Sequence, residues 1–582
     1  MTSLIKSLSL KNFKGFSDEV RIELRPITLL FGANSVGKSS VLQAMQYVRE
    51  ILERNNANAD RTLQGGDAVD LGGFLNLVHD RDAQNLIEIE IAMSLGEESI
   101  PDLVPEAFED WQTYDNEVWH FYETLQGIRK KVEEVSVRLS IGWNDLRKEA
   151  VVVAYEISTN AQWCVKFESS PDGRDVTLRI NRDNPIFLVE RPDYSQLLAE
   201  TKDLEAMAGL EDWVNPADLA AERGPSEVSE TSDVEEYSEE NIPTAMMSVW
   251  PELLYAVREA GMERPGDGLR AWLTGGFQGA LPRLDQMLSI PVPGAKGAEG
   301  VYTAREFTAF LSWITIGPAV LLRNQLQKMR YVGPLRRVPP RNFEAGLTKN
   351  DAAWSDGMAA WESLSKAPQS LVDRCSDWMA NPKKLGTGYA IDRLQVQEFD
   401  MSQPVPKPLD RVRTRLALLD ADRRPHQPQD VGVGISQVLP VVVAAQDGSA
   451  SLVCIEQPEL HIHPSIQVGL GDLFIDGALN QGLSFLIETH SEHLVMRLQR
   501  RVREQVLGEL PSDVPALDIQ DVSFIYLGRG QDGNVTTTTI GLSPDGKFDA
   551  PWPNGFFSER ASEVLSSANR AKLNAARHKV QE

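Results

Sequence analysis

The sequence predicts an α/β fold whose two halves lie far apart along the chain. The first observation is the segment GANSVGKS at residues 32–39, which follows the apolar run Ile27–Phe31 and precedes a helical pattern. The second is a pair of apolar strand patterns, Leu452–Ile455 and Leu483–Ile487, which are both followed by polar residues. Because the pattern changes between these regions, we expect a large insertion that separates the halves of one α/β unit.

The segment at residues 32–39 has the spacing of a phosphate-binding loop, G-x-x-x-x-G-K-S. Its two glycines allow backbone N–H groups and the N-terminus of the following helix to point at phosphate oxygens. Lys38 supplies a mobile positive charge, and Ser39 supplies a hydroxyl for Mg²⁺. Since a strand precedes the loop and a helix follows it, we expect ATP or GTP to bind here. The predicted nucleotide contacts are Gly32, Asn34, Ser35, Val36, Gly37, Lys38, Ser39 and Ser40.

The length of 582 residues is too great for a single hydrophobic core and indicates about two to four domains. Strand patterns surround the phosphate loop at Leu4–Leu10, Val20–Leu24 and Leu86–Ala92. A strand pair is also expected within the insertion, at Ala150–Ser158 and Trp163–Glu168. The expected units are an N-terminal half at residues 1–96, a mainly helical arm or lid at 97–325, a C-terminal half at 326–545, and a WPNGFF segment with a helical tail at 546–582.

Composition favours a globular protein of the cytoplasm. The hydrophobic fraction of 42% is ordinary, and since no apolar run is long enough to cross a bilayer, we expect no membrane contact. The N-terminus lacks the uninterrupted apolar centre of a signal peptide. Cys164, Cys375 and Cys454 have no paired spacing, so neither a disulfide framework nor a zinc site is expected from the cysteines.

The charge of the chain is strongly negative and unevenly distributed. A formal net charge of −26 argues against a uniformly basic surface for nucleic acid. The segment at residues 224–241 is acidic, polar and poor in large apolar residues. Two interpretations of it stay open: a solvated or disordered stretch, or an acidic element that mimics nucleic acid or shields a basic groove.

Polar residues at three places in the C-terminal half predict the rest of the site. Glu456 ends the first apolar strand pattern, where a carboxylate can orient Mg²⁺. His490 follows the second pattern and is placed to reach a γ-phosphate. The segment DVGVGISQ leads into a helix near Ser436, and the N-terminus of a helix suits an anion.

At these residues the chain resembles the ATP-binding-cassette (ABC) ATPases of the SMC, Rad50 and RecF kind, in which an insertion separates the phosphate loop from the signature and Walker B segments. Seven segments resemble more closely the bacterial overcoming-lysogenization-defect-like and anti-phage defence ATPases, including the Septu type. They are LKNFKGF, VDLGGFLNLVHD, YVGPLRRVPPR, DVGVGISQVLP, IEQPELHIHP, IETHSEH and WPNGFF. The resemblance implies an ABC-type head: a mixed sheet with flanking helices and an N-terminal antiparallel sheet, interrupted by the insertion.

The resemblance also implies roles for individual residues. Glu456 would be the Walker B acid that holds Mg²⁺ together with Ser39, and His490 would be the switch histidine. ATP would lie between two heads, because the signature of such proteins faces the nucleotide of a second subunit. The implied signature residues are Gly434, Ser436 and Gln437; Phe13 and Lys14 are expected near the base or the phosphates, and Gln64 and Gln84 are candidates for the glutamine loop.

Gln457 departs from the family pattern, in which a glutamate usually follows the Walker B acid and polarises the attacking water. A glutamine cannot accept the proton of that water, and general-base assistance is worth about 10²–10⁴-fold in rate. We therefore expect slow hydrolysis, with Glu459 as a candidate replacement. The alternative is that Gln457 only positions water and that hydrolysis remains adequate.

The resemblance implies a sensor, scaffold or regulatory subunit of a bacterial anti-phage defence complex. Its partners would be a second copy in a head-to-head dimer or higher oligomer, a separate effector such as a nuclease, and DNA or a phage component. A nuclease site in this chain is not expected, because the residues after His490 lack a constellation of paired carboxylates. Two alternatives are a DNA-repair clamp of the Rad50 or RecF type and a transporter ATPase, the latter disfavoured because the signature reads GVGISQ, not LSGGQ.

Two further groups of residues each have two interpretations. Four histidines could bind zinc, or they could serve loop packing and subunit contact, which the family pattern favours. Six basic residues could contact nucleic-acid phosphates or form ion pairs inside the head. The first group is His461, His463, His490 and His493, and the second is Arg323, Lys328, Arg330, Arg336, Arg337 and Arg341.

Overall fold

The computed structural model describes both predicted halves of the head and part of the region between them. The acidic segment 224–241, Gln64 and the expected helical tail lie outside the described residues. The described residues are 4–54, 57, 71–96, 98–101, 128–171, 175–181, 184–187, 269–273, 277–288, 297–341, 343, 351–402 and 404–553.

Six strands of the described chain form a mixed sheet at the centre of the head. They are β3 (Ile27–Gly32), β12 (Arg330–Val332), β16 (Leu452–Glu456), β17 (Ser484–Glu488), β18 (Val522–Arg529) and β19 (Val535–Ile540). Their order is β12-β16-β17-β3-β18-β19, and every neighbouring pair is parallel except β18 with β19. The strand that ends in Glu488 therefore lies between the strand that ends in Glu456 and the strand that precedes the phosphate loop.

A second sheet is antiparallel throughout and joins the N-terminal half to the insertion. Its described strands, in sheet order, are β2 (Val20–Glu23), β1 (Ile5–Lys11), β4 (Ile87–Ser94), β5 (Glu134–Asn144), β6 (Glu149–Thr159), β7 (Gln162–Ser169), β8 (Val176–Ile180) and β9 (Leu269–Leu273). The strand pair predicted within the insertion is confirmed as β6 and β7. The mainly helical character expected for residues 97–325 fits the helix Gly297–Gln327, whereas residues 134–180 form strands whose alternate apolar side chains face the core.

The remaining described elements are short strands, one long hairpin and the helices that cover the mixed sheet. The strands are β10 (Phe277–Gln278), β11 (Leu281–Pro282), β13 (Ala390–Asp400), β14 (Lys407–Leu419) and β15 (Pro425–His426). The helices are α1 (Lys38–Arg54), α2 (Phe74–Leu77), α3 (Gly297–Gln327), α4 (Met358–Lys366), α5 (Gln369–Ala380), α6 (Val433–Gln446), α7 (Pro464–Leu479) and α8 (Glu492–Leu507).

Each face of the mixed sheet is covered by its own hydrophobic core, and β3 shows how the sequence achieves this. Leu30 packs into the core shared with α1, α3 and the antiparallel sheet. Ile27, Leu29 and Phe31 point to the opposite face and pack into the core shared with α4 to α8. A strand buried on both faces reads as a continuous apolar run, which explains why β3, β16 and β17 were recognisable in the sequence.

The helices that follow the two site strands are joined by a buried ion pair. Asp472 of α7 accepts from Arg501 of α8 through both carboxylate oxygens, at 2.7 Å from Nε and 2.8 Å from the second terminal nitrogen. Both residues are buried, and Arg501 also donates to Glu504 at 2.6 Å. Since α7 follows β16 and α8 follows β17, this pair fixes the two strand ends relative to each other.

We expect Asp472→Asn to lower the free energy of unfolding by about 2–3 kcal/mol, because it leaves a buried guanidinium with one carboxylate partner instead of two. Urea unfolding of the variant and the wild-type protein measures the difference. Asp422→Asn is the control, since its pair with Arg424 at 3.6 Å is exposed and should change stability by less than about 1 kcal/mol. Equal losses in the two variants would contradict the prediction.

Candidate functional site

The phosphate loop connects β3 to α1 and depends on two glycines. Gly32 has φ 144° and Gly37 has φ 114°, backbone conformations that residues with a Cβ rarely adopt. A Cβ on Gly32 would also lie 2.3 Å from the carbonyl oxygen of Leu527 in the neighbouring strand β18. The loop therefore turns sharply over the sheet edge and delivers Lys38 and Ser39 to the start of α1, as the motif predicts.

Lys38 and Ser39 are both held by groups of the head. The Lys38 ammonium donates to the carbonyl oxygens of Gly32 at 3.0 Å and Ala33 at 2.9 Å. It lies 3.9 Å from a carboxylate oxygen of Glu488. The Ser39 hydroxyl donates to the other oxygen of the same carboxylate, at 2.7 Å. Burial lowers the pKa of Lys38, while Glu488, Glu456 and Glu459 act to raise it.

A cavity of about 270 Å³ opens beside the phosphate loop. Four of its lining residues, Lys14, Gly15, Glu488 and Arg529, come from outside the loop and its helix, so the cavity is bordered by several segments of the chain. Two positive charges, at Lys14 and Arg529, thus border the space next to Lys38. The lining residues are Lys14, Gly15, Ser35, Val36, Gly37, Lys38, Ser39, Ser40, Glu488 and Arg529.

Glu456 lies at the C-terminal end of β16, where the sequence placed the Walker B acid. It is 7% exposed, and the Tyr331 hydroxyl donates to it at 2.7 Å. Burial raises the pKa of Glu456, and the hydrogen bond from Tyr331 counteracts that rise. Glu456 is also paired in register with Glu488, which accepts the hydrogen bond from Ser39.

Glu488 is a site residue that the sequence reasoning missed. It ends β17 and is paired in register with Glu456 on one side and with Leu30 on the other. The sequence prediction named only His490 after this strand, although LSFLIE has the same form as LVCIE: an apolar strand that ends in glutamate. Arg529 was also missed, because the strand β18 that delivers it was not predicted.

Gln457 and Glu459 occupy the turn after β16. Gln457 has φ 43°, and its backbone N–H donates to the Glu488 carbonyl oxygen at 2.8 Å. Glu459, the candidate replacement base, is engaged elsewhere: it accepts from the Thr489 hydroxyl at 2.8 Å and from the His490 backbone N–H at 2.7 Å. Burial raises the pKa of Glu459. Its contacts tie the turn to the segment that carries Thr489 and His490.

His490 follows β17 by two residues and is partly buried. Burial lowers the pKa of its imidazole, and the charge of Lys38 lowers it further. Its role as the switch histidine stays a prediction.

The signature residues are only partly placed as expected. The Ser436 hydroxyl donates to the Pro428 carbonyl oxygen at 3.1 Å, and the Gln437 side chain hydrogen-bonds with the backbone of Arg336. Both side chains are buried, so the expectation that they face a second subunit is corrected. Gly434 is partly exposed near the start of α6, and the outward residue beside it is Val433, which is 55% exposed.

Phe13 and Lys14 have different environments: the first lies in the core and the second borders the cavity. Phe13 is fully buried and stacks on Tyr47 with ring centroids 6.5 Å apart, so the expectation that it contacts the base is wrong. Lys14 borders the cavity, and its ammonium donates to Gln43. Burial lowers the pKa of Lys14, and Glu456 acts to raise it. Gln84 is exposed in the turn after Asp82.

The histidine and arginine groups have contacts inside the head. In the part of the chain that the structure describes, no three His, Cys, Asp or Glu side chains come together as a metal site. His463 caps α7 by accepting from the Ser465 backbone N–H at 3.2 Å. Four members of the basic group engage groups of the head, which favours the ion-pair interpretation. The pairs are Arg330 with Asp447, Arg337 with Asp356 and Arg341 with Asp430, while Arg336 donates to the carbonyl oxygens of Glu456 and Gln457.

The donor set beside the phosphate loop fits Mg²⁺. It consists of one hydroxyl, on Ser39, and two carboxylates, on Glu456 and Glu488, and oxygen donors are the ligands that this hard cation prefers.

Among the helices that the structure describes, none combines the length and apolar character required to cross a membrane.

Comparison with known families covers both halves of the head. Residues 4–167 match a family described as "AAA ATPase domain", and residues 331–497 match one described as "AAA domain, putative AbiEii toxin, Type IV TA system". No curated protein matches the sequence.

Similar solved structures include three SMC head domains. One is bound to the C-winged helix domain of ScpA, with 10% identity, 93% of this chain and 98% of that chain covered, and a TM-score of 0.33. One derived from Pyrococcus furiosus has an extended coiled coil and is bound to the C-terminal domain of ScpA. It is 11% identical, the match covers 98% of this chain and 100% of that chain, and the TM-score is 0.31. The third, from Thermotoga maritima, is 8% identical; the match covers 93% of this chain and 100% of that chain, and the TM-score is 0.33. Because the TM-scores are low, we infer nothing about this chain from them.

Each of the two family matches contains part of the candidate site. The first contains the phosphate loop with Lys38 and Ser39, and the second contains Glu456, Glu488 and His490. Both halves of the head thus match AAA-type domain models, which indicates ATPase activity.

Proposed function

We propose that the protein binds Mg²⁺ and ATP at the phosphate loop and hydrolyses ATP slowly, as a regulatory switch. The observation that carries this proposal is the Ser39 hydroxyl, which donates to the buried carboxylate of Glu488, next to Glu456 and to a cavity lined by the loop. The bound cation would neutralise phosphate charge and help to polarise the γ-phosphate. Lys38 would turn from the carbonyl oxygens of the loop to the phosphates, and His490 would approach the γ-phosphate from the end of β17.

Slow hydrolysis follows from the residue at the end of the Walker B strand. Gln457 presents an amide where a carboxylate would accept the proton of the attacking water. Glu459 cannot easily replace it, because both of its oxygens accept hydrogen bonds from Thr489 and His490. A site that holds ATP well and cleaves it slowly suits a conformational switch better than a motor.

The biological role that fits such a switch is regulation of a partner. The resemblance of the motifs to anti-phage defence ATPases supports a sensor, scaffold or regulatory subunit of a bacterial defence complex in the cytoplasm. A separate nuclease would be its effector, a DNA or phage component its trigger, and a second copy of the head its dimer partner. The alternative of a DNA clamp gains no support from four members of the basic group, Arg330, Arg336, Arg337 and Arg341, because they are engaged with groups of the head.

We expect Lys38→Ala to weaken ATP binding at least about tenfold, because a charge-assisted contact to phosphate is lost. Isothermal titration calorimetry with ATP and Mg²⁺ measures the affinity. Lys148→Ala is the control, since this lysine is exposed and pairs with Asp145 in a turn. In cells that carry the protein with its neighbouring genes, Lys38→Ala should also abolish protection against phage. Retained protection would contradict the switch proposal.

We expect Gln457→Glu to raise the turnover number by about 10²-fold or more, because it restores a group that can accept a proton from water. Phosphate release at saturating ATP measures the rate. Gln395→Glu adds the same charge at an exposed position of β13 and should leave the rate unchanged. The slow-switch proposal fails if the wild-type protein already turns over at about 10 s⁻¹, the common enzymatic rate, and the variant is no faster.

We expect Val433→Glu to prevent an ATP-dependent dimer, because it places a charge on the outward surface beside Gly434. Light scattering with ATP and Mg²⁺ measures the mass, and ATP affinity at low protein concentration should stay unchanged. Val506→Glu is a matched control, since Val506 on α8 is also 55% exposed. A dimer that forms equally well in both variants would rule out contact through this end of α6.

A further inference from the structure

We propose that Glu488 is a second carboxylate of the Mg²⁺ site and that it orients the cation through the hydroxyl of Ser39. This inference rests on the proposed function and assigns a role to a residue that the phosphate-loop and Walker B motifs do not include. The starting observation is the position of β17 between β16 and β3, which brings Glu488 to the edge of the sheet where both motifs end.

The hydrogen bond from Ser39 to Glu488 determines how the hydroxyl is presented. The Ser39 proton points at the Glu488 carboxylate, 2.7 Å from oxygen to oxygen. A hydroxyl has one proton and two lone pairs, so a fixed donor direction leaves the lone pairs available to a cation. Outer partners of this kind orient metal ligands and increase their affinity. Glu488 is therefore a positioning residue for Ser39 and also adds one negative charge next to the cation.

The register of the sheet places the two carboxylates side by side. Glu456 and Glu488 are Cα partners in the parallel pair of β16 and β17, and neighbouring strands lie about 4.8 Å apart. In the ATPases that the motifs resemble, a second acid usually follows the Walker B acid at the end of the same strand. In this chain that second position is Gln457. The head nevertheless retains two carboxylates at this edge, because the other one ends the next strand.

Charge balance explains why a cation is required when nucleotide binds. The side chain of Glu488 is 5% exposed, and its nearby positive group is Lys38 at 3.9 Å. In the proposed function Lys38 turns to the phosphates, which would leave two adjacent buried carboxylates facing a triphosphate. Buried charge without a partner is strongly unfavourable. A divalent cation at Ser39 replaces the charge of Lys38, so Glu488 exchanges one positive partner for another.

The test measures cation affinity separately from turnover. Mn²⁺ is titrated into the full-length protein with ADP and followed by electron paramagnetic resonance, while ADP binding is measured in EDTA. We expect Glu488→Gln to weaken Mn²⁺ binding about 10–100-fold and to leave ADP binding in EDTA unchanged. Glu488→Asp keeps the charge and should recover part of the affinity. Glu53→Gln is the control, because it removes a carboxylate from the same helix about 21 Å from Ser39.

The possible outcomes separate this inference from the proposed function. Thermal unfolding identifies a variant that does not fold, and Glu488→Asp then provides the measurement. Wild-type affinity for Mn²⁺ in Glu488→Gln, whether or not turnover falls, would overturn the role of Glu488 while ATP binding by the head stands. A wild-type protein that binds neither Mn²⁺ nor nucleotide would overturn both proposals.

Discussion

The parallel pairing of β17 with β16 on one side and β3 on the other is the constraint on which the site depends. It places the end of β17 between the phosphate loop and the Walker B acid, so every polar group there lies within reach of both. Side chains alternate between the faces of a strand, and a slip of one residue would turn Glu488 away from Ser39. The apolar residues of β3, β16 and β17 prevent such a slip, because they are divided between two hydrophobic cores.

The same arrangement concentrates charge in a poorly solvated place. Lys38, Glu456 and Glu488 are all buried, and the hydroxyls of Tyr331 and Ser39 supply hydrogen bonds to the carboxylates. Buried ionic groups of this kind contribute little to net stability, because desolvation offsets their attraction. Their value is functional: the positive and negative groups are already fixed in position before a ligand arrives, so little reorganisation is needed.

Local patterns were enough to predict the phosphate loop, the strands around it and Glu456, because motif spacing and continuous apolar runs reflect local backbone requirements. Glu488 was present in the same kind of pattern but needed the order of strands in the sheet before its proximity to Ser39 could be known. The burial of Gln437 could not be predicted, since it depends on packing against Arg336, about a hundred residues away in the chain. Phe13 was misassigned because an aromatic residue near a nucleotide motif also serves well as core.

Arg336 links the start of α6 to the end of β16. Its guanidinium is buried and donates to the carbonyl oxygens of Glu456, Gln457 and Gln437, while its backbone exchanges hydrogen bonds with the Gln437 side chain. Burial lowers the pKa of Arg336 to about 10, so it stays charged at neutral pH. The first turn of α6 and the acidic end of β16 are thereby joined as one rigid piece. A partner that displaces the first turn of α6 would therefore also displace the turn that carries Gln457.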